Sequence, residues 1–274
     1  MKKGFSILAE TFYSSAISAA CVSIFFIDET GSPQFYAKRK RPLWIDPDFV
    51  PIICLGMAVT DDRIKLRNDV LEFQRQILDD PLLNSIYSVA QPGWHLHARN
   101  DHSDINLKMV EFLRQYSGFK ASVVIGRKIP EIFINKHNGN ATEFYFDLIH
   151  KLLELVSFDS NCSYHLYLSQ RQSNTVQRFS SAFEKALQTA AKESNNINFS
   201  CSIVRSVDFP EMSVVDYMLW ALQRYILKGE RRYFTALEHR YDKIFDVYEN
   251  EGAGKLYHEN EKFALAKASP FITK

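Results

Sequence analysis

Residues 21–31, Cys-Val-Ser-Ile-Phe-Phe-Ile-Asp-Glu-Thr-Gly, constrain this chain more than any other stretch. Six of the first seven are apolar and β-favouring or Cys, the pattern of a strand buried on both faces. Asp28 and Glu29 then stand at its C-terminal end, before a Gly that allows a sharp turn. Adjacent carboxylates repel unless a cation or a proton sits between them. A buried strand that delivers acids to a sheet edge can hold a divalent metal through oxygen ligands. The plainer alternative is a strand that ends in a polar turn.

Strands and helices alternate downstream. Apolar runs at Ile52–Val59, Phe119–Gly126, Tyr164–Leu168 and Phe199–Val204 read as four further strands. Helical patterning covers Asp61–Leu78 (with Asp61 or Asp62 as N-cap), Ser103–Tyr116, Ala141–Val156, Thr175–Lys192, Val214–Leu227 and Arg232–Tyr248. About five strands interleaved with helices give an α/β class. With 274 residues and no evident linker or repeat, one domain over residues 1–274 is expected, with 250–274 as a partly mobile tail.

A net charge of +1 excludes a global bias toward nucleic acid or membrane, so any polyanion site must be a local patch. No run approaches the ~18 apolar residues of a transmembrane helix. Met1-Lys2-Lys3 and the stretch ending Ala19-Ala20-Cys21 have the outline of a lipoprotein signal, but Glu10, Ser14, Ser15 and Ser18 break it. Cys21, Cys54, Cys162 and Cys201 lack close metal spacing; buried reduced thiols and a cytoplasmic setting are expected.

Three other places carry chemistry. Asp216 stands in an apolar helix, Val214–Ala221, where a carboxylate must be paired, hydrogen-bonded or metal-bound; Arg224 and Arg231 are the candidate pairing partners. His95 and His97 alternate, so on an extended backbone both point the same way, as metal-site groups or as polar loop residues. Lys38-Arg39-Lys40-Arg41, flanked by Tyr36 and Trp44, has the charge and aromatic mix of a nucleic-acid contact, or is a solvated loop.

Asp28-Glu29-Thr30-Gly31 resembles the Asp-Glu-Ser-Gly strand end of the domain-of-unknown-function 3800 family. Val215–Arg224 followed by Lys228–Tyr233 resembles that family's C-terminal helix; His97-Ala98 and Tyr164–Arg171 resemble its central element and fourth strand, all in order over about residues 21–245. The resemblance implies a ribonuclease H-like fold, with a mixed five-stranded sheet flanked by helices on both faces. It further implies a two-metal nuclease site with Mg²⁺ or Mn²⁺. Asp28 would bridge the ions, Asp216 would hold one, and Glu29 would be a ligand or base. Apart from the resemblance, the residue types themselves offer His95 as a further metal ligand, and His97, Arg171 and Lys38, Arg39, Lys40 and Arg41 as substrate contacts.

The chain departs from the family at three positions. Ser213 replaces a Gln three residues before the helical acid, His95 replaces an acid two before His97, and Ser169 replaces the acid ending the fourth strand. Fewer carboxylates weaken Mg²⁺ binding. Two readings stand: a metal-dependent nuclease or phosphodiesterase, and a non-catalytic relative that binds nucleic acid or a partner protein. An accessory role in a bacterial defence or toxin module is a form of the second.

Overall fold

The computed structural model describes residues 21–159, 161–170, 198–249 and 253–271. β1 (Cys21–Thr30), β2 (Ile52–Thr60) and β3 (Lys120–Arg127) form an antiparallel meander. β4 (Cys162–Ser169) lies parallel to β1, and β5 (Asn198–Val204) parallel to β4. This order, β5-β4-β1-β2-β3 with only β2 reversed, is the ribonuclease H-like sheet. β6 (Tyr241–Asp246) adds parallel to β3 and β7 (Lys255–Tyr257) antiparallel to β6, so the described sheet has seven strands rather than five.

β1 is buried on both faces, as its unbroken apolar run requires. Phe26 faces one core with Cys54, Ala58, Val123 and Ile125, beneath helices α1 (Arg63–Asp79), α2 (Ser103–Gln115), α5 (Met212–Lys228) and α6 (Arg231–Leu237). Phe25 and Ile27 face a second core with Leu55 and Val124, beneath α3 (Pro130–His137) and α4 (Ala141–Glu154). α1 begins where Asp62 accepts the Lys65 backbone N–H, and buries Leu66, Val70, Phe73 and Ile77 at helical spacing. At the end of β1, Gly31 has φ +96° and its α-carbon presses so near the Ile52 carbonyl that a Cβ would meet that oxygen at 2.8 Å.

The helix expected over Arg232–Tyr248 stops at Leu237, passes through a 3-10 turn and becomes β6. The free edge of β3 supplies the reason: pairing Val123 with Ile244 and Ile125 with Asp246 outweighs local helix propensity. The expected mobile tail contributes β7 and the buried Phe263. The expected helix at 175–192 lies outside the described residues, as does Arg171.

Reduced thiols were the expectation for all four cysteines, and this is corrected for two. Cys21 and Cys162 are register partners on β1 and β4 and form a disulfide, with Cα atoms 4.6 Å apart. Cys54 is a buried thiol whose pKa burial pushes up. No helix of the described residues is long and apolar enough to cross a membrane.

The segment between β1 and β2 is a basic hairpin. Tyr36 bridges Pro42, Ala37 N–H donates to the Arg41 carbonyl, and Leu43 N–H to that of Phe35. Its tip residues Arg39 and Lys40 have φ of 60° and 57°. That left-handed backbone costs a side-chain-bearing residue about 1–2 kcal/mol.

Candidate functional site

The alternation of β1 separates the two acids. Asp28 shares its face with Phe26, under α5; Glu29 shares its face with Phe25 and Ile27, under α4, where the Tyr145 hydroxyl donates to its carboxylate. The sequence-level grouping of Glu29 with Asp28 and Asp216 is therefore not what the fold builds: a period of two sends adjacent side chains to opposite faces.

Asp28 and Asp216 do share a side. Gln223 and Asp216 are seven residues apart, on one stripe of α5. Gln223 accepts a 3.0 Å hydrogen bond from the Thr30 hydroxyl, two residues beyond Asp28 on the same face of β1. Between them, Leu219 packs onto Gly56, the cross-strand partner of Asp28. A Cβ on Gly56 would lie 2.9 Å from the Leu219 side chain, so glycine lets α5 settle close to the sheet. Both carboxylates thus line the seam between β1 and α5. The Glu29 backbone N–H holds one Asp28 oxygen at 2.8 Å.

A third segment closes over the seam. Buried Asp101 accepts from Trp94 Nε1 at 2.9 Å, His97 N–H at 2.7 Å and the Tyr217 hydroxyl at 2.8 Å, which folds residues 94–101 onto α5. That fold delivers the Ala98 N–H to Asp216 Oδ2 at 2.8 Å and His97 Nδ1 to within 3.6 Å of the same oxygen. His97 Nδ1 is buried and takes part in no hydrogen bond. His95 bonds the Gly93 carbonyl at 3.3 Å instead, so His97 and not His95 is the histidine at Asp216. Of the expected arginine partners, Arg224 donates to Glu230 at 2.6 Å, and among the described residues no lysine or arginine pairs with Asp216. The register Ile27 to Leu168 places Ser169 beside Asp28, where its hydroxyl lies 3.3 Å from that of Ser206.

Burial, with a smaller push from Asp101, raises the Asp216 carboxyl to about 6 against the lowering effect of the Ala98 amide. A carboxyl at 3.8 unfolded and about 6 folded binds its proton more tightly in the native chain. Its favourable contribution is complete below the unfolded value and is lost as pH rises through the folded one. Ionised Asp216 then costs at most about 3 kcal/mol. Asp216→Asn is expected to be more stable than the parent by roughly 1–3 kcal/mol at pH 8, with the gap closing toward pH 4. Urea unfolding in chelator across that range reads the effect; a parent at least as stable as the variant at pH 8 would refute it.

Two solved structures are similar to the chain. One is a chain of the PCNA:RNase HII complex from Archaeoglobus fulgidus, at 8% identity and TM-score 0.42, covering 80% of this chain and 81% of that one. The other is the ribonuclease H2 from Pyrococcus horikoshii OT3, at 10% identity and TM-score 0.43, covering 80% of each. No family model and no curated protein matches the chain. The fold therefore rests on the strand order, and the function on the seam itself.

The residues present fit a divalent cation in part. Asp216 and His97 offer oxygen and nitrogen donors side by side, and among the described residues no lysine or arginine reaches them, which suits Mn²⁺ and, through the carboxylate, Mg²⁺. A full two-ion cage is not built: among the described residues no three His, Cys, Asp or Glu side chains gather as a metal group. Mg²⁺ often takes only one or two carboxylates and completes its shell with water and substrate phosphate.

The signals for the residues missed in sequence were available in part. The seven-residue spacing of Asp216 and Gln223 marks one helical stripe. The Ala98 amide and the Asp101 clamp depend on an irregular loop that has no periodicity to read.

Proposed function

We propose that the chain is a relative of the domain-of-unknown-function 3800 family that cleaves phosphodiesters with a divalent cation, Mg²⁺ or Mn²⁺, held by a reduced set of groups. The supporting observation is the seam: Asp28 and Asp216 on the same side of β1 and α5, with Asp216 half-buried and, among the described residues, without a lysine or arginine partner. A desolvated carboxylate is unfavourable as the anion, and a cation beside it relieves that cost.

Asp216 and His97 are the residues that would hold the ion, with Asp28 farther along the same seam. Bound there, it would polarise the phosphoryl group and lower the pKa of a water. The Ala98 amide and the Asp101 clamp orient Asp216 and His97, so little rearrangement is needed when substrate arrives. Ser169 offers a hydroxyl beside Asp28 where a fourth acid would strengthen ion binding. Glu29 acts from the far face by fixing the strand end through Tyr145.

Cleavage of labelled single-stranded RNA, single-stranded DNA, duplex DNA and an RNA–DNA hybrid, with Mn²⁺ or Mg²⁺, tests this. Asp28→Asn and Asp216→Asn are each expected to lose at least about 100-fold in rate, the equivalent of roughly 3 kcal/mol of transition-state stabilisation. Cleavage unchanged in both variants would remove the seam from the chemistry.

A second reading is a non-catalytic relative that binds nucleic acid or a protein. Ser169 in an acid's place and the missing third metal group favour it. Absence of cleavage of every substrate, at high enzyme with either metal, would select this reading.

A further inference from the structure

We infer that the hairpin Tyr36–Pro42 is a contact for the phosphate backbone of a single-stranded nucleic acid, an inference that rests on the phosphodiester reading of the seam. The hairpin leaves the C-terminal end of β1, where Asp28 lies, and returns to the start of β2 on the same sheet edge.

Its geometry is built to display charge. A two-residue tip with both φ values positive normally takes Asn-Gly, since each side chain adds strain. Here the tip is Arg39-Lys40, at φ 60° and 57°, between Lys38 and Arg41. Lys38, Arg39 and Lys40 are exposed, and no ion pair or hydrogen bond engages their side chains. Arg41 is committed to Asp46 through two hydrogen bonds, one of 2.9 Å, and so fixes the base of the turn.

The base is rigid. Lys128 Nζ sits 4.2 Å from the Phe49 ring centre and 5.5 Å from that of Phe35, joining the two ends of the segment. Phe35 in turn stacks on Phe133 at 3.8 Å. Half-buried Tyr36 and Trp44 meet edge to face, with centres 5.1 Å apart. Three unpaired cations on a rigid, projecting turn above two partly open rings match a charged backbone with stacking bases. An anionic membrane would instead call for an amphipathic helix, and the hairpin has none.

Binding of labelled oligouridine and oligothymidine, in chelator and on the Asp28→Asn background, tests the inference. Lys38→Ala/Arg39→Ala/Lys40→Ala is expected to weaken binding by about tenfold or more. It should also make the slope of log K against log salt shallower by about 2 units. Arg39→Asn/Lys40→Gly is expected to weaken binding while raising the urea midpoint, because it removes both charges and the strain, so loss of binding cannot be ascribed to misfolding. Manganese-dependent hydrolysis of bis-p-nitrophenyl phosphate, too small to reach the hairpin, should persist in both hairpin variants and vanish in Asp28→Asn. Failure of the seam would appear in that hydrolysis alone, and failure of the hairpin in oligonucleotide binding alone. Oligonucleotide affinity unchanged in the triple variant, no binding by the parent, or equal binding to polyglutamate or phosphatidylserine vesicles would overturn the inference.

Discussion

Breaking the Cys21–Cys162 disulfide is expected to lower the unfolding free energy by about 2–5 kcal/mol, among the largest single effects available in this chain. The bond joins residues 141 apart. In the chain-entropy model a loop of that length gains nearly 5 kcal/mol from restriction of the unfolded chain, although native-state effects commonly reduce the yield. The bridge lies at the start of β1 and β4, the adjacent parallel strands that carry Asp28 and Ser169 at their other ends. Urea unfolding with and without dithiothreitol, alongside Cys21→Ala/Cys162→Ala, provides the measurement. The double variant should match the reduced parent and show no further response to reductant. A parent whose midpoint ignores reductant would show that the bond contributes nothing.

That bridge also marks where sequence reading stops. Periodicity and burial are local, and they suffice for β1 to β5, for α1 with its Asp62 cap, and for the helix that carries Asp216. Pairing is not local. Nothing near Cys21 announces Cys162, and nothing near Tyr241 announces that β3 has an edge to fill, so a helix was expected where β6 forms. The site divides the same way. Asp216 was identifiable as a buried acid because an apolar helix leaves it nowhere else to face. Its partner was not, because the Ala98 amide reaches it through an irregular loop and Arg224 turns away to Glu230. The one error that sequence alone could have prevented concerns Glu29: strand alternation already sends it to the side opposite Asp28.

Two buried acids with the same shift make opposite statements about their surroundings. Burial raises both Asp216 and Asp246 to about 6. Asp246 has a cation, with Arg127 Nε and Nη2 donating to it at 2.8–3.0 Å. Asp216 has an amide and an imidazole, and among the described residues no lysine or arginine. That difference between the two acids is the physical basis for proposing function at Asp216.

The Arg127 cluster supplies the second large effect. Arg127, Asp246 and Glu249 are all more than nine-tenths buried. Arg127 also donates to the Ser269 and Pro270 carbonyls and lies 4.1 Å from the Phe271 ring centre; Ser269 N–H donates to Glu249 at 2.8 Å. One guanidinium therefore neutralises two acids and fastens the segment 269–271 to β3 and β6. Arg127→Met removes it and strands two carboxylates in the core, at an expected cost of about 3–5 kcal/mol at pH 8. The loss should shrink as pH falls toward 5, because protonation of Asp246, which burial already raises to about 6, removes an uncompensated charge. Hydrogen exchange should rise across 265–271 in the variant, since its backbone carbonyls lose their donor. Adding Asp246→Asn and Glu249→Gln to Arg127→Met should recover part of the stability at pH 8. A single variant as stable as the parent, or a loss that grows on acidification, would mean that the cluster is not held together by charge.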